Sequence, residues 1–71
     1  MSELELRHLR MLFENRARVQ QRLTDLDTEL EDFVLEMRDS GASARGMAEA
    51  LGVGPSTIQT WTSNARARRL R

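Results

Sequence analysis

Residues 44–63, ARGMAEALGVGPSTIQTWTS, decide how the rest of this chain is read. Met47, Ala48 and Leu51 fall at i, i+1 and i+4, one face of a short helix. Ile58, Trp61 and Ala65 fall at i, i+3 and i+7, one face of a second. Gly52 stands between them, and glycine adopts the positive φ that a tight exit from a helix requires. Val53 follows, placed to drop into the angle between the two helices. Pro55 suits the first turn of the second helix, where its missing N–H costs nothing. The pattern predicts helices over 44–51 and from 55 to about 69, with Ser43 as N-cap of the first.

Ala48, Gly52 and Ile58, with Met47, Leu51, Val53 and Trp61 around them, carry a family resemblance. The stretch SARGMAEALGVGPSTIQTW resembles the helix-turn-helix of bacterial and phage DNA-binding proteins, as found in resolvase-type domains, sigma-factor-like modules and small transcriptional regulators. It covers residues from about 30 to 69, and every apolar slot is filled. Gly54 departs from the pattern, because such motifs place a Ser or Thr cap there; the start of the second helix is weaker by roughly a few tenths of a kcal/mol. The resemblance implies a three-helix DNA-binding domain with its second motif helix in a major groove. It names no operator.

Outward from the motif, residues 3–39 contain neither Gly nor Pro and are rich in strong helix formers. Leu9, Leu12, Arg16, Val19, Leu23, Leu26, Leu30, Phe33 and Met37 follow one another at alternating steps of three and four, a heptad seam with one polar member. A continuous helix over this span would be about 55 Å long. A compact chain of this length has a radius of gyration of only about 11 Å. Such a helix cannot be buried by its own domain, and it calls for a partner.

The expected fold is all-α: a long N-terminal coiled-coil helix followed by a helix-turn-helix head. Residues 1–28 are read as a dimerisation helix and 29–71 as the DNA-binding head. Leu30, Phe33, Val34 and Met37 have the wider stripe of a helix packed on a globular core, and they are expected to cover Leu51, Ile58 and Trp61. Leu9, Leu12, Phe13, Arg16, Val19, Leu23 and Leu26 remain for a second copy of the chain. Thr24 with Asp27 offers a capping signal for a separate helix folding back, but nothing between Leu23 and Asp27 forces a break. Arg16 is either a defect in the seam or a register device, its stem lying along apolar neighbours while the guanidinium reaches Glu14 or an acid on the partner. The acids Asp25, Asp27, Glu29, Glu31 and Asp32 read as a solvated face able to pair with Arg7, Arg10, Arg16, Arg18 and Arg22 of a partner. Arginines early and acids late favour an antiparallel pair, whereas a parallel pair would bring both heads to one end; the sequence leaves both open. Asp39, Ser40 and Gly41 end the long helix.

The totals bound the function. Seventy-one residues allow one small core. Without cysteine there is neither a disulfide nor a thiolate metal site. One histidine, His8, and no cysteine leave no nucleophile–base set, so no enzyme, cofactor or metal is expected. No apolar run approaches the ~20 residues of a membrane span, and a cytoplasmic, nucleoid-associated protein is expected. The net charge is zero, but it is split: residues 1–40 hold six Arg against ten acids, residues 41–71 five Arg against one. The basic end coincides with the motif, as a duplex-facing surface requires.

With Ile58, Trp61 and Ala65 inward, Ser56, Thr60, Ser63 and Ala67 point outward, flanked by Gln59 and Asn64. Ser56, Gln59, Thr60 and Ser63 are the candidate base contacts: short and polar, with Gln59 suited to adenine and the Thr60 methyl to thymine. No arginine precedes Arg66 on this helix, so modest discrimination with an A·T lean is expected. Ser43, Arg45, Thr57, Arg66, Arg68 and Arg69 are the candidate phosphate contacts, with Arg71 extending the same basic end. Trp61 is read as core. The partners expected are double-stranded DNA and a second copy, in a sequence-preferring transcriptional regulator. The competing readings are an architectural, packaging or recombination accessory protein that oligomerises on DNA, and an adaptor gripping a polymerase subunit or another regulator through the long helix.

Overall fold

The uninterrupted run of helix formers does form one helix. In the computed structural model, which describes residues 1–71, α1 (Glu3–Asp39) is unbroken, followed by α2 (Ala44–Leu51) and α3 (Pro55–Arg69), with no strand. Thr24 starts nothing: its hydroxyl donates to the Gln20 carbonyl one turn back, at 3.0 Å. The helix therefore crosses the expected boundary at 28/29 without interruption. The molecule extends 58 Å along its longest axis with a radius of gyration of 18.0 Å, the shape of a rod with a small head at one end.

Both helix exits use the same device. Ser40 caps α1, Gly41 takes φ 105°, and the Ala42 N–H reaches back to the Met37 carbonyl at 3.0 Å. Gly52 takes φ 71°, and the Val53 N–H reaches back to the Ala48 carbonyl at 3.0 Å. Each is a left-handed glycine closed by a bond across five residues, which satisfies carbonyls the helix end would otherwise leave unpaired. Ser43 caps α2, its Oγ accepting from the Gly46 N–H at 2.9 Å. Gly54 stands at the N-cap of α3 with no side chain to offer, and Pro55 fills the first turn.

The core is small. Val34, Met47, Ala48 and Ile58 form one cluster, with Ala42, Ala44, Val53 and Trp61 packed against it as half-buried neighbours. Leu35 and Ile58 are the largest fully buried side chains, and Ala65 of α3 is buried as well.

The face of α1 that meets the head differs from the expected one. Glu31, Val34 and Leu35 are buried, and Arg38 is half-buried. Phe33 is 60% exposed, Leu51 54%, and Leu30 and Met37 stand at the edge of exposure. The docking stripe is thus 31/34/35/38 rather than 30/33/34/37, and Leu51 is not covered. At 100° per residue Leu35 lies about 160° around the helix from both Phe33 and Met37. The head has packed on the flank of the seam, leaving it bare from Leu9 to Leu26 and only partly shielded at Leu30 and Met37. Leu9, Leu12, Val19, Leu23 and Leu26 are all at least half exposed. Covering the exposed half of one such leucine contributes roughly half of the ~1.5–3 kcal/mol of full burial, so covering the whole row would still be favourable.

Candidate nucleic-acid interface

Helix α3 has two clearly different sides. Ile58, Thr62 and Ala65, at i, i+4 and i+7, are buried, and Trp61 is half-buried beside them against the core. Thr62 was not singled out by the apolar pattern. It is accommodated because its hydroxyl donates to the Ile58 carbonyl at 2.8 Å, leaving only the methyl to pack. No buried side-chain polar atom lacks a partner.

On the other side Ser56, Gln59, Thr60 and Ser63 are exposed, at i, i+3, i+4 and i+7, a strip free of acids. The Thr60 hydroxyl donates to the Ser56 carbonyl at 3.0 Å, which orients the side chain along the helix and leaves its methyl at the surface. Thr57 is half-buried at the start of α3, and its N–H bonds the Gly54 carbonyl at 3.0 Å. Ser43 and Arg45 are exposed at the start of α2, although the Ser43 hydroxyl already caps Gly46.

The basic end of α3 is partly engaged within the head. The sequence suggests a run of free arginines reaching for phosphate. Instead, Arg68 lies against α1, where Nη1 donates to Glu31 Oε1 at 2.6 Å and Nη2 donates to Asp32 Oδ1 at 3.0 Å. Its Nη2 also approaches the Thr28 carbonyl at 3.4 Å. These carboxylates push the Arg68 pKa above its ordinary range, Glu31 foremost and then Asp32. Asn64, expected to flank the outward strip, donates Nδ2 to Glu31 Oε2 at 2.7 Å. Arg66 and Arg69 share Asp39 more loosely, at 3.5 and 3.7 Å, and both are half exposed or more.

The physical reason is that α3 runs beside the acidic C-terminal part of α1. Glu31 is 12% exposed at its side chain, and a carboxylate so placed must find donors. Three of the five arginines in residues 41–71, Arg66, Arg68 and Arg69, are therefore engaged within the head by Glu31, Asp32 and Asp39. Arg45 and Arg71 take part in no ion pair, and both are exposed.

Along α1 the other candidate interface residues, Leu9, Leu12, Phe13, Arg16, Val19, Leu23 and Leu26, are all exposed on the bare seam or beside it. Arg16 has no acid within ion-pair distance, Glu14 included. No helix is long and apolar enough to cross a membrane. No protein-family model matches the chain, and neither a curated protein nor a solved structure matches it either.

Proposed function

We propose that this chain is a dimeric, sequence-preferring DNA-binding transcriptional regulator, acting as a helix-turn-helix protein of the nucleoid. In this reading α2 crosses the backbone and α3 (Pro55–Arg69) lies in a major groove about 12 Å wide. The observation that carries the reading is the strip Ser56, Gln59, Thr60 and Ser63: exposed, acid-free, and held from behind by buried Ile58 and half-buried Trp61. Short side chains let the helix approach base edges closely. Gln59 supplies an adenine-reading amide, and Thr60 a methyl for thymine.

Phosphate contacts in this reading come from Ser43, Arg45 and Thr57 at the helix starts, and from Arg66 and Arg69, whose long bonds to Asp39 are readily exchanged for phosphate. Arg68 is assigned to the head instead. A half-site read by so few cations binds weakly, and pairing two heads through the seam multiplies the affinity.

The test is a mobility shift with a random-sequence duplex at low salt, repeated as salt rises. Binding whose logarithm falls linearly with log salt supports the reading. Failure to shift any duplex at the lowest salt sinks it. One observation favours a second reading, the adaptor that docks on another protein. The arginines of α3 are engaged by α1, whereas the apolar seam is bare along its length. Absence of DNA binding together with a folded head would move the assignment there.

A further inference from the structure

The head leaves open an apolar groove of about 190 Å³, continuous with the seam. Leu30, Val34 and Met37 of α1 line one side, and Met47, Ala50 and Leu51 of α2 the other, with no polar side chain among the lining residues. Near the other end of the rod Phe13 is 67% exposed, one position off the seam, with nothing to cover it. We infer that the occupant of groove and seam is the N-terminal half of a second copy, lying antiparallel, with Met37 opposite Leu12 of that copy and Phe13 of that copy entering the groove beside Val34. This rests on the dimeric part of the function proposed above, and it adds orientation and register.

Charge decides the orientation. In a parallel pair Arg16 meets its own copy across the seam, and the residues flanking that layer, Asn15 and Gln20, carry no acid to separate them. An antiparallel pair sets Arg16 against the later part of the second chain, where Glu29 and Glu36 flank the seam; neither is engaged by α3, unlike Glu31 and Asp32.

Three antiparallel registers overlap the seam usefully, and flanking charges separate them. Sliding seven residues one way sets Arg22 on Arg22 of the second copy, Met37 on Glu5 and Phe13 on Asp27. Sliding seven the other way sets Glu29 on Glu29. The register between them pairs Arg22 with Glu29 twice, Leu23 with Leu26, Leu30 with Val19 and Met37 with Leu12, and it faces Arg16 with the Phe33 ring. It is also the register that brings Phe13 to Val34. The two heads then lie at opposite ends of the overlap, their Phe33 residues about 26 Å apart along the coil.

Cysteine cross-linking reads this directly, because the chain has no cysteine of its own. Leu12→Cys and Met37→Cys chains are mixed in equal amounts, refolded together and oxidised, with helicity of each variant checked beforehand. A disulfide needs Cα atoms within about 7 Å, and in the wrong orientation residues 12 and 37 are about 37 Å apart. The inferred pair gives the mixed 12–37 dimer and little of either like pair. Like pairs in place of the mixed one overturn it in favour of a parallel coil, and a 12–30 cross-link from Leu12→Cys with Leu30→Cys overturns the register.

A charge exchange provides a second measurement free of cysteine. Arg22→Glu should weaken association several-fold in sedimentation, and adding Glu29→Arg should restore it; restoration by Asp27→Arg instead identifies the parallel coil. A wild-type chain that sediments as a monomer overturns the whole inference. A duplex-binding measurement on the same samples separates the two proposals: a 12–37 dimer that binds no DNA removes the DNA reading alone, and a like-paired dimer that binds DNA removes only the antiparallel arrangement.

Discussion

One helix serves two regions that are held in opposite ways. Over residues 28–38 α1 is clasped from behind: Leu35 and Val34 are buried, and Glu31 receives donors from Asn64 and Arg68. Over residues 6–27 the same helix touches no other part of the chain strongly enough to bury a single residue. The two regions share a seam but not a source of stability. The head has a core of its own. The arm has only helix propensity and whatever covers its leucines, and isolated helices are marginal in water. The difference is that α1 is covered on one side by its own head and carries an uncovered apolar seam on the other, which the proposed dimer would close.

The most damaging way to break the comparison is within the head. Ile58 is fully buried at the centre of the cluster, so Ile58→Ala should cost ~2–5 kcal/mol, a large part of what a domain this small possesses. Urea unfolding followed by Trp61 fluorescence should lose its cooperative transition or shift far to lower denaturant. An unchanged midpoint would mean that Ile58 is not the keystone of the head. Leu23→Glu acts on the other region. In the proposed dimer it should abolish association in sedimentation while leaving the Trp61 transition nearly in place, because Leu23 is 51% exposed and lies outside the head. Loss of both together would merge what the structure separates.

A smaller effect sharpens how the head is clasped. Arg68→Ala strips Glu31 and Asp32 of their shared guanidinium, while Arg71→Ala removes an arginine without an ion pair. The first should lower the melting temperature of the head and the second should not. Arg68→Lys should recover little, since an ammonium cannot bridge both carboxylates with a planar fork. Equal melting temperatures for the Arg68 and Arg71 variants would show that the bridge adds no stability. On the outer strip of α3 Gln59→Ala should leave the melting curve unchanged, because Gln59 is exposed. In the proposed function it blunts preference among duplex sequences while sparing non-specific binding; a uniform loss on all sequences would remove Gln59 as a base reader.

Local rules made most of the helical layout legible. The bounds of α1, the left-handed glycines at 41 and 52, the Ser43 cap and the exposed strip of α3 all follow from signals a few residues wide. What escaped was long-range. Val34 belongs both to the seam stripe and to the docking stripe, so the pattern 30/33/34/37 fits the sequence as well as 31/34/35/38. Only the packing of α3 chooses, and it chooses the side that lets Leu35 be buried. The Arg68 bridge joins residues 37 positions apart, and the sequence offers no local sign of it beyond opposite charge. That is why a run of arginines reads as a phosphate-seeking tail until α3 is seen beside α1.

The mildest test lies at the outer tip of the arm, as far from the head as the chain allows. The Ser2 N–H donates to Glu5 Oε1 at 2.9 Å, and the Glu5 N–H donates to Ser2 Oγ at 3.1 Å, a reciprocal cap. The ionised Glu5 carboxylate is favoured first by that backbone N–H and then by the Ser2 hydroxyl, which hold its pKa below the ordinary 4.5 against a small opposing desolvation. A depressed folded pKa contributes stability that is present above the unfolded value and lost as pH falls through the folded one. Acidification below the ordinary 4.5 should therefore fray the first turn of α1, seen as faster amide exchange near Glu5 and Leu6. Glu5→Gln removes the ionisation at that position, so its first turn should respond less to the same acid range. If wild type and Glu5→Gln fray along one curve, the pH response belongs to some other carboxylate, and the tip of the arm is held by hydrogen-bond geometry without help from charge.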